Sequence, residues 1–215
     1  MSAGADPSES QDVTLRDGSK ITIRPIRPDD KDALAAGFAR LSPQTRYRRF
    51  FAPLTELTQR DLAYLTEVDH HDHEALIGFD AGRGDPVGVV RYVRGAEPNE
   101  AEVAVVVVDD WQGRGVATAL LDRLVIRARE EGIEHFLALV MAENEEAMAM
   151  FDTLAPDGSR HRRSASGYTE LVIDLPEPGT PADESRLQRA LRAAAQGALA
   201  ANPWSLIRQR IGGER

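Results

Sequence analysis

The chain has 215 residues, carries 26 Lys plus Arg against 35 Asp plus Glu for a formal net charge of -9, and contains no cysteine. That length suits one domain with a tail and a real buried core. The missing cysteines exclude a disulfide scaffold, a Cys-ligated metal and a thiol nucleophile, and the acidic balance argues against a nucleic-acid partner. The longest apolar run, Val103 to Val108, falls far short of the ~20 residues of a membrane span. Met1 to Asp12 lacks the basic and apolar regions of a secretory signal, so no membrane partner and a cytoplasmic location are expected.

Residues 1–11 are Gly, Ser, Pro and acids without periodicity and read as disordered. From Val13 to Ile23 apolar and polar residues alternate on both sides of Asp17-Gly18, which predicts a hairpin. Asp29 and Asp30 stand where helix N-caps stand, ahead of Leu34, Phe38 and Leu41 at helical spacing. Ser42-Pro43 starts a second helix, as N-cap and first helical residue, carrying Tyr47, Phe50 and Phe51. A third is predicted from Thr58 to Val68. Three strands follow, Glu74 to Asp80, Val87 to Val93 and Glu100 to Val108, joined by short turns and therefore antiparallel. The last is β-branched enough to be central.

A helix from Val116 to Glu131, with Leu120, Leu121, Leu124 and Ala128 as its buried stripe, stops at Gly132. The strand Phe136 to Val140 returns through a right-handed crossover and so lies parallel to Glu100–Val108. A helix from Glu145 to Leu154 and a strand from Tyr168 to Leu175 complete the predicted domain, residues 12–175. Residues 176–184 read as a Pro-rich linker and residues 185–215 as a helical tail; together, from Pro176, they carry six Arg and four acids, a charge of +2. The expected fold class is α/β, a mixed, mostly antiparallel twisted sheet with helices on both faces.

The chemistry concentrates where the central strand ends. Gln112-Gly113-Arg114-Gly115-Val116-Ala117-Thr118 is a glycine-rich turn opening a helix. Backbone N–H groups of residues 113–118, helped by the helix dipole, would make an anion site. No Gly-Lys-Ser/Thr follows, so it is not a nucleotide P-loop. Gln-x-x-Gly-x-Ala is far more specific than a lone Gly-x-Gly, and it resembles the acyl-CoA pyrophosphate motif of the GNAT superfamily of N-acetyltransferases. The element order fits a GNAT-like fold over about residues 13 to 175.

A narrower resemblance lies in Leu41-Ser-Pro-Gln-Thr-Arg46-Tyr47-Arg48-Arg49-Phe50-Phe51, Val68-Asp69-His70 and Ala101-Glu102-Val103 through Gly115. These segments are similar to the bacterial Pat-type protein lysine acetyltransferases, here as a stand-alone catalytic domain. The resemblance implies acetyl-CoA as acyl-donor co-substrate and a protein lysine as acceptor, with acyl-CoA synthetases among the family's targets. It makes Glu102 the general base. It implies that Val106, Val107 and Val108 pair with the pantetheine arm, while Gln112, Gly113, Arg114, Gly115, Val116, Ala117, Thr118 and Asn144 hold the coenzyme. A lysine amine has a pKa near ~10.4, so a base is needed at neutral pH. A small-amine acceptor and a non-catalytic acyl-CoA sensor stay open. Many GNAT enzymes place a Tyr where Phe151 stands. Phe donates no proton, and a thiol of pKa ~8.5 can leave as thiolate.

Other clusters have plainer readings. Asp69-His70-His71-Asp72-His73-Glu74 could ligate a metal, but consecutive residues converge poorly on one ion, so a polar loop is expected and no metal. Arg46 and Arg49 share a helix face beside Tyr47, Phe50 and Phe51, where aromatic packing with solvated arginines is expected. Arg160 to Arg163 reads as a short basic patch, and Ser164, Ser166 and Tyr168 as a polar run before the last strand.

Overall fold

A computed structural model describes residues 10–141, 161–165 and 168–175. Asn144, Phe151, the predicted 145–154 helix, Arg160, Ser166, the linker and the tail lie outside the described residues. Among the described residues, eight strands form one sheet in the order β1-β2-β3-β4-β5-β6-β8-β7. They are β1 (Gln11–Thr14), β2 (Lys20–Pro25), β3 (His73–Asp80), β4 (Pro86–Arg94), β5 (Glu100–Val107), β6 (His135–Met141), β7 (His161–Ala165) and β8 (Tyr168–Asp174). The one parallel pair among them is β5/β6, as the crossover predicts.

The β1/β2 hairpin turns at Asp17-Gly18, where Gly18 N–H donates to Leu15 O at 3.0 Å. A 3-10 turn, Pro28–Asp30, then leads into α1 (Lys31–Ala39). Asp30 caps that turn rather than α1. It accepts from Arg27 N–H at 2.7 Å and takes a two-pronged contact from the Arg24 guanidinium at 2.7 and 2.6 Å. Burial works against its ionised form. The hydrogen bonds from Arg24 and the Arg27 amide and the charges of both arginines outweigh it, so the carboxyl sits below its ordinary range. A depressed folded-state pKa stabilises above the unfolded value and is lost as pH falls through the folded one. The stability gap between the natural chain and Asp30→Asn should therefore be constant at neutral pH and shrink below about pH 4. Thermal melts across pH check this; a gap independent of pH would contradict it.

Helix α2 (Pro43–Phe50) begins after its predicted cap Ser42, and α3 (Gln59–Thr66) begins next to its predicted start at Thr58. Ser42 Oγ accepts from Thr45 N–H, and Thr58 and Asp61 form a reciprocal capping box. Helices α1 and α3 cover one sheet face, where Ile26, Leu34, Leu62, Leu65, Ile77 and Val89 pack together. Helix α4 (Val116–Glu130) covers the other with Leu120, Leu121 and Leu124, each fully buried. Each such leucine contributes roughly 1.5–3 kcal/mol by leaving water. The tool for placing the site is β5, whose side chains alternate. Val103, Val105 and Val107 are buried in the cluster that Leu120, Leu121 and Leu124 join, and Val106 also packs against the cluster of Ile77 and Val89.

One expectation needs correction. Residues 161–165 are a strand, not a loop: β7 pairs antiparallel with β8 at the sheet edge. Its composition, His-Arg-Arg-Ser-Ala, shows no apolar alternation because an edge strand needs no second buried neighbour.

Candidate active site

Strands β5 and β6 pair over only three positions, Glu100↔His135, Ala101↔Phe136 and Glu102↔Leu137. Beyond them, among the described residues, β5 continues along β4 alone, to Val107, and β6 continues along β8. Two parallel strands that part after three pairs leave a wedge between them, and Glu102 stands at its apex. The wedge exposes one edge of β5 with backbone groups seeking partners.

The ladder decides which of those groups face the wedge. Val108 N–H donates to Val87 O at 3.0 Å. In an antiparallel ladder alternate residues bond the same neighbour, so Glu102, Ala104, Val106 and Val108 direct their amides to β4. Val103, Val105 and Val107 direct theirs to the wedge. This corrects the expectation for the amides of Val106 and Val108, which β4 already engages, and brings in Val105. The side chains of Val106 and Val108 still share a face, both lining the cavity under α1. Val107 O is partly occupied too, since Gln112 Nε2 donates to it at 3.1 Å. Gln112 thus ties the turn back onto its own strand.

The turn has the backbone geometry that an anion site requires. A 3-10 turn, Asp109–Trp111, reverses the chain after β5. Gly113 (φ 76°) and Gly115 (φ 98°) follow in left-handed conformations that L-residues rarely adopt. Gly115 is the N-cap of α4, no side chain caps the helix there, and no acid stands in its first turn. The N–H groups of Val116, Ala117 and Thr118 therefore precede the first intrahelical bond, Ala119 N–H to Gly115 O at 3.0 Å. Arg114 lies over the Trp111 ring, 4.8 Å from its centroid, and 3.7 Å from Asp17. It is half-exposed and within the cradle's rim.

Asp109 and Asp110 clamp this turn to the α1–α2 corner, a role the sequence did not suggest. Asp109 accepts from Ser42 N–H at 2.9 Å and Thr45 Oγ1 at 3.0 Å. Arg40 Nη2 grips both oxygens of Asp110. Burial disfavours the Asp109 anion, but the Ser42 and Thr45 hydrogen bonds prevail and hold its pKa below the ordinary value.

Behind Glu102 the interior is charged. The Oε1 atom of Glu102 is buried. Arg49 of α2 and Arg91 of β4 are each 3% exposed. This overturns the solvated reading of Arg49. Arg46 is held as well, its guanidinium 4.6 Å from the Phe38 ring centroid and bonded to Thr55 O and Ala39 O. Tyr47 does face solvent, and Phe50 packs edge-on against Phe38. Arg91 Nη1 donates to His73 Nε2 at 2.9 Å and Nη2 to Leu65 O at 3.1 Å. Since arginine only donates, His73 Nε2 accepts and its proton lies on Nδ1.

The 69–74 run is a structural knot. Asp69 Oδ1 accepts from the N–H groups of His71 and His73. Glu74, fully buried, accepts from His70 Nδ1 at 2.7 Å, Ala75 N–H at 2.8 Å and Arg127 Nε at 3.2 Å. These residues point to different partners, and no three acids or histidines among the described residues converge on a metal position.

Residues 40–155 match the model of the Acetyltransferase (GNAT) family. The chain is 32% identical over 183 residues to Acetyltransferase Pat of Mycolicibacterium smegmatis, covering 85% of this chain and 54% of that protein. It therefore spans about half the length of that relative. The crystal structure of the GNAT domain of S. lividans PAT is 36% identical, with a TM-score of 0.67 over 77% of this chain and 97% of that one. A Salmonella typhimurium structure solved with its cofactor acetyl-CoA shares the fold at 20% identity, TM-score 0.55, over 75% and 97% of the two chains. A wedge between parallel strands, a glycine cradle at a helix N-terminus and these likenesses agree, and the chain belongs to the GNAT family of acetyltransferases.

Proposed function

We propose that the chain is an acetyl-CoA-dependent N-acetyltransferase that transfers the acetyl group directly to the ε-amino group of protein lysines. The observation that carries this reading is Glu102, a carboxylate at the apex of the β5/β6 wedge, on the strand that leads into the uncapped start of α4. The cradle fits a pyrophosphate, because left-handed Gly113 and Gly115 present backbone rather than side chain to it. The wedge-facing groups of Val105 and Val107 fit an extended amide-bearing arm laid along β5 as an added strand. Acetyl-CoA supplies the activated acyl group as a thioester.

The chain's own residues do the rest. Glu102 accepts a proton from the acceptor ammonium, directly or through one water. The freed amine nitrogen bonds the acyl carbon, the carbon–sulfur bond breaks with its electron pair leaving on sulfur, and the nitrogen's second proton passes to the departing thiolate, giving a neutral amide and the CoA thiol. A wedge-facing N–H of β5 would stabilise charge developing on the acyl oxygen. With no cysteine in the chain, no acyl-thiol enzyme form precedes transfer. The protein acceptor rests on the Pat-type segments around Arg49, Asp69 and Glu102 and on the likeness to Acetyltransferase Pat.

Incubation with acetyl-CoA and either lysate proteins or a panel of small amines tests the acceptor. Acetylated protein lysines seen by mass spectrometry are expected. CoA release with small amines alone would replace the protein acceptor. Binding without any CoA release would make the chain an acyl-CoA sensor.

The cradle carries its own prediction. Ala at position 115 would sit at φ 98°, a conformation costing roughly 1–2 kcal/mol. The free loop can relax that strain, and the coenzyme-bound loop cannot. Gly115→Ala is therefore expected to weaken acetyl-CoA binding about tenfold by calorimetry; an unchanged Kd would remove the cradle from the coenzyme site.

A further inference from the structure

Four elements bring charged or titratable groups to the sheet face that carries Glu102. Arg49 comes from α2, Tyr64 from α3, His73 from β3 and Arg91 from β4. The register places them. Val93 pairs with Glu102 and Arg91 with Ala104, so Arg91 stands one step along the same face from the Glu102 carboxylate. On the other side Leu137 of β6 is apolar, and Glu170 of β8 shares that face two strands away. Arg49 and Arg91 both line the cavity that Val106 and Val108 also line.

Two guanidinium groups buried together are costly, and each shows it. Burial lowers Arg49 to about 10, with the charges of Glu102 and Tyr64 holding it up. Burial and then the charge of Arg49 lower Arg91 to about 9, with Tyr64 opposing. The two arginines therefore feel one another, and Glu102 is the carboxylate that favours the charge on Arg49. Arg91 is immobilised by His73 and Leu65 O, which leaves its charge fixed behind that pair.

We propose that Arg49, braced by Arg91, is a positioning residue that keeps the half-buried Glu102 carboxylate ionised and aimed into the wedge before the acceptor amine arrives. This rests on Glu102 being the base. A carboxylate in an apolar interior is driven toward its neutral form, and a neutral acid cannot take the acceptor's proton. A guanidinium reverses that drive in a way bulk solvent cannot, because the site must exclude water to favour aminolysis over hydrolysis. Lysine at position 49 keeps the charge on a similar reach, whereas methionine keeps the volume and removes it.

The test is the pH profile of kcat/KM in the full chain. Arg49→Met should move the acid limb up by about one pH unit or more, with the Kd for acetyl-CoA unchanged and Arg49→Lys returning the limb toward its natural position. Arg49→Gln, which keeps hydrogen-bond donors without charge, serves the same comparison should Arg49→Met not fold. A uniform loss at every pH with the limb unmoved would make Arg49 a packing residue and overturn the proposal. Glu102→Gln, run in parallel, separates the two readings. If it loses the acid limb while the neutral Arg49 variants leave theirs in place, the base stands and this inference fails. If Glu102→Gln keeps the natural limb, the base assignment itself fails.

Discussion

Glu102→Gln is expected to lower kcat/KM for amine acetylation by about 10²–10³-fold while leaving the Kd for acetyl-CoA within about twofold. The amide preserves shape and polarity but cannot hold the acceptor's proton at neutral pH. Its neighbours in the wedge are backbone groups of β5, which the substitution does not touch. The loss should therefore appear in kcat and shrink as pH rises, because an acceptor that is already neutral needs no base. Steady-state kinetics from mildly acidic to alkaline pH would show this convergence. A variant as active as the natural chain at neutral pH would remove Glu102 from the mechanism; an equal deficit at every pH would give it a structural task instead.

The second large effect concerns stability. Glu74 is wholly buried, and Arg127 of α4 reaches it at 3.2 Å while also contacting Glu130 at 2.6 Å. Burial disfavours the Arg127 charge, but its bonds to Glu130 and Glu74 outweigh that and raise its pKa. Arg127→Met would leave a buried carboxylate with the His70 ring and the Ala75 amide alone of its present donors. Removing one member of a buried ion pair costs about 3 kcal/mol at the lower end of the usual range, which for a domain of this size lowers Tm by roughly 6–12 °C. Adding Glu74→Gln should recover part of that loss, because a neutral amide needs no counter-charge. A melting curve for Arg127→Met that overlays the natural one would show the pair to be unimportant.

Legibility followed the range of the interactions. The hairpin at Asp17-Gly18, the cap Ser42, the helix start at Thr58, the α4 stripe and the parallel return of β6 depend on turn chemistry and side-chain period, which act over a few residues. Glycine positions at 113 and 115 announced a tight turn at a helix start for the same reason. What escaped was set by pairing and burial across the chain. Strand β7 was hidden because polar residues suffice at an edge. Asp109 gave no sign of bonding Ser42 and Thr45, some sixty residues earlier.

The sequence by itself determined the order of elements from β1 to β6, the placement of a Gly-x-Gly turn between the central strand and α4, and the candidacy of Glu102. These follow from local preference and from motif. Only the tertiary structure decided which amides of β5 face the wedge, since a ladder's alternation is anchored by a single cross-strand bond, Val108 N–H to Val87 O. Only it turned Arg49 from a solvated helix residue into a buried charge, because Arg91 and Glu102 reach it from strands more than forty residues away. The number of arginines can be counted along a chain, whereas the cost of burying one depends on what folding brings beside it.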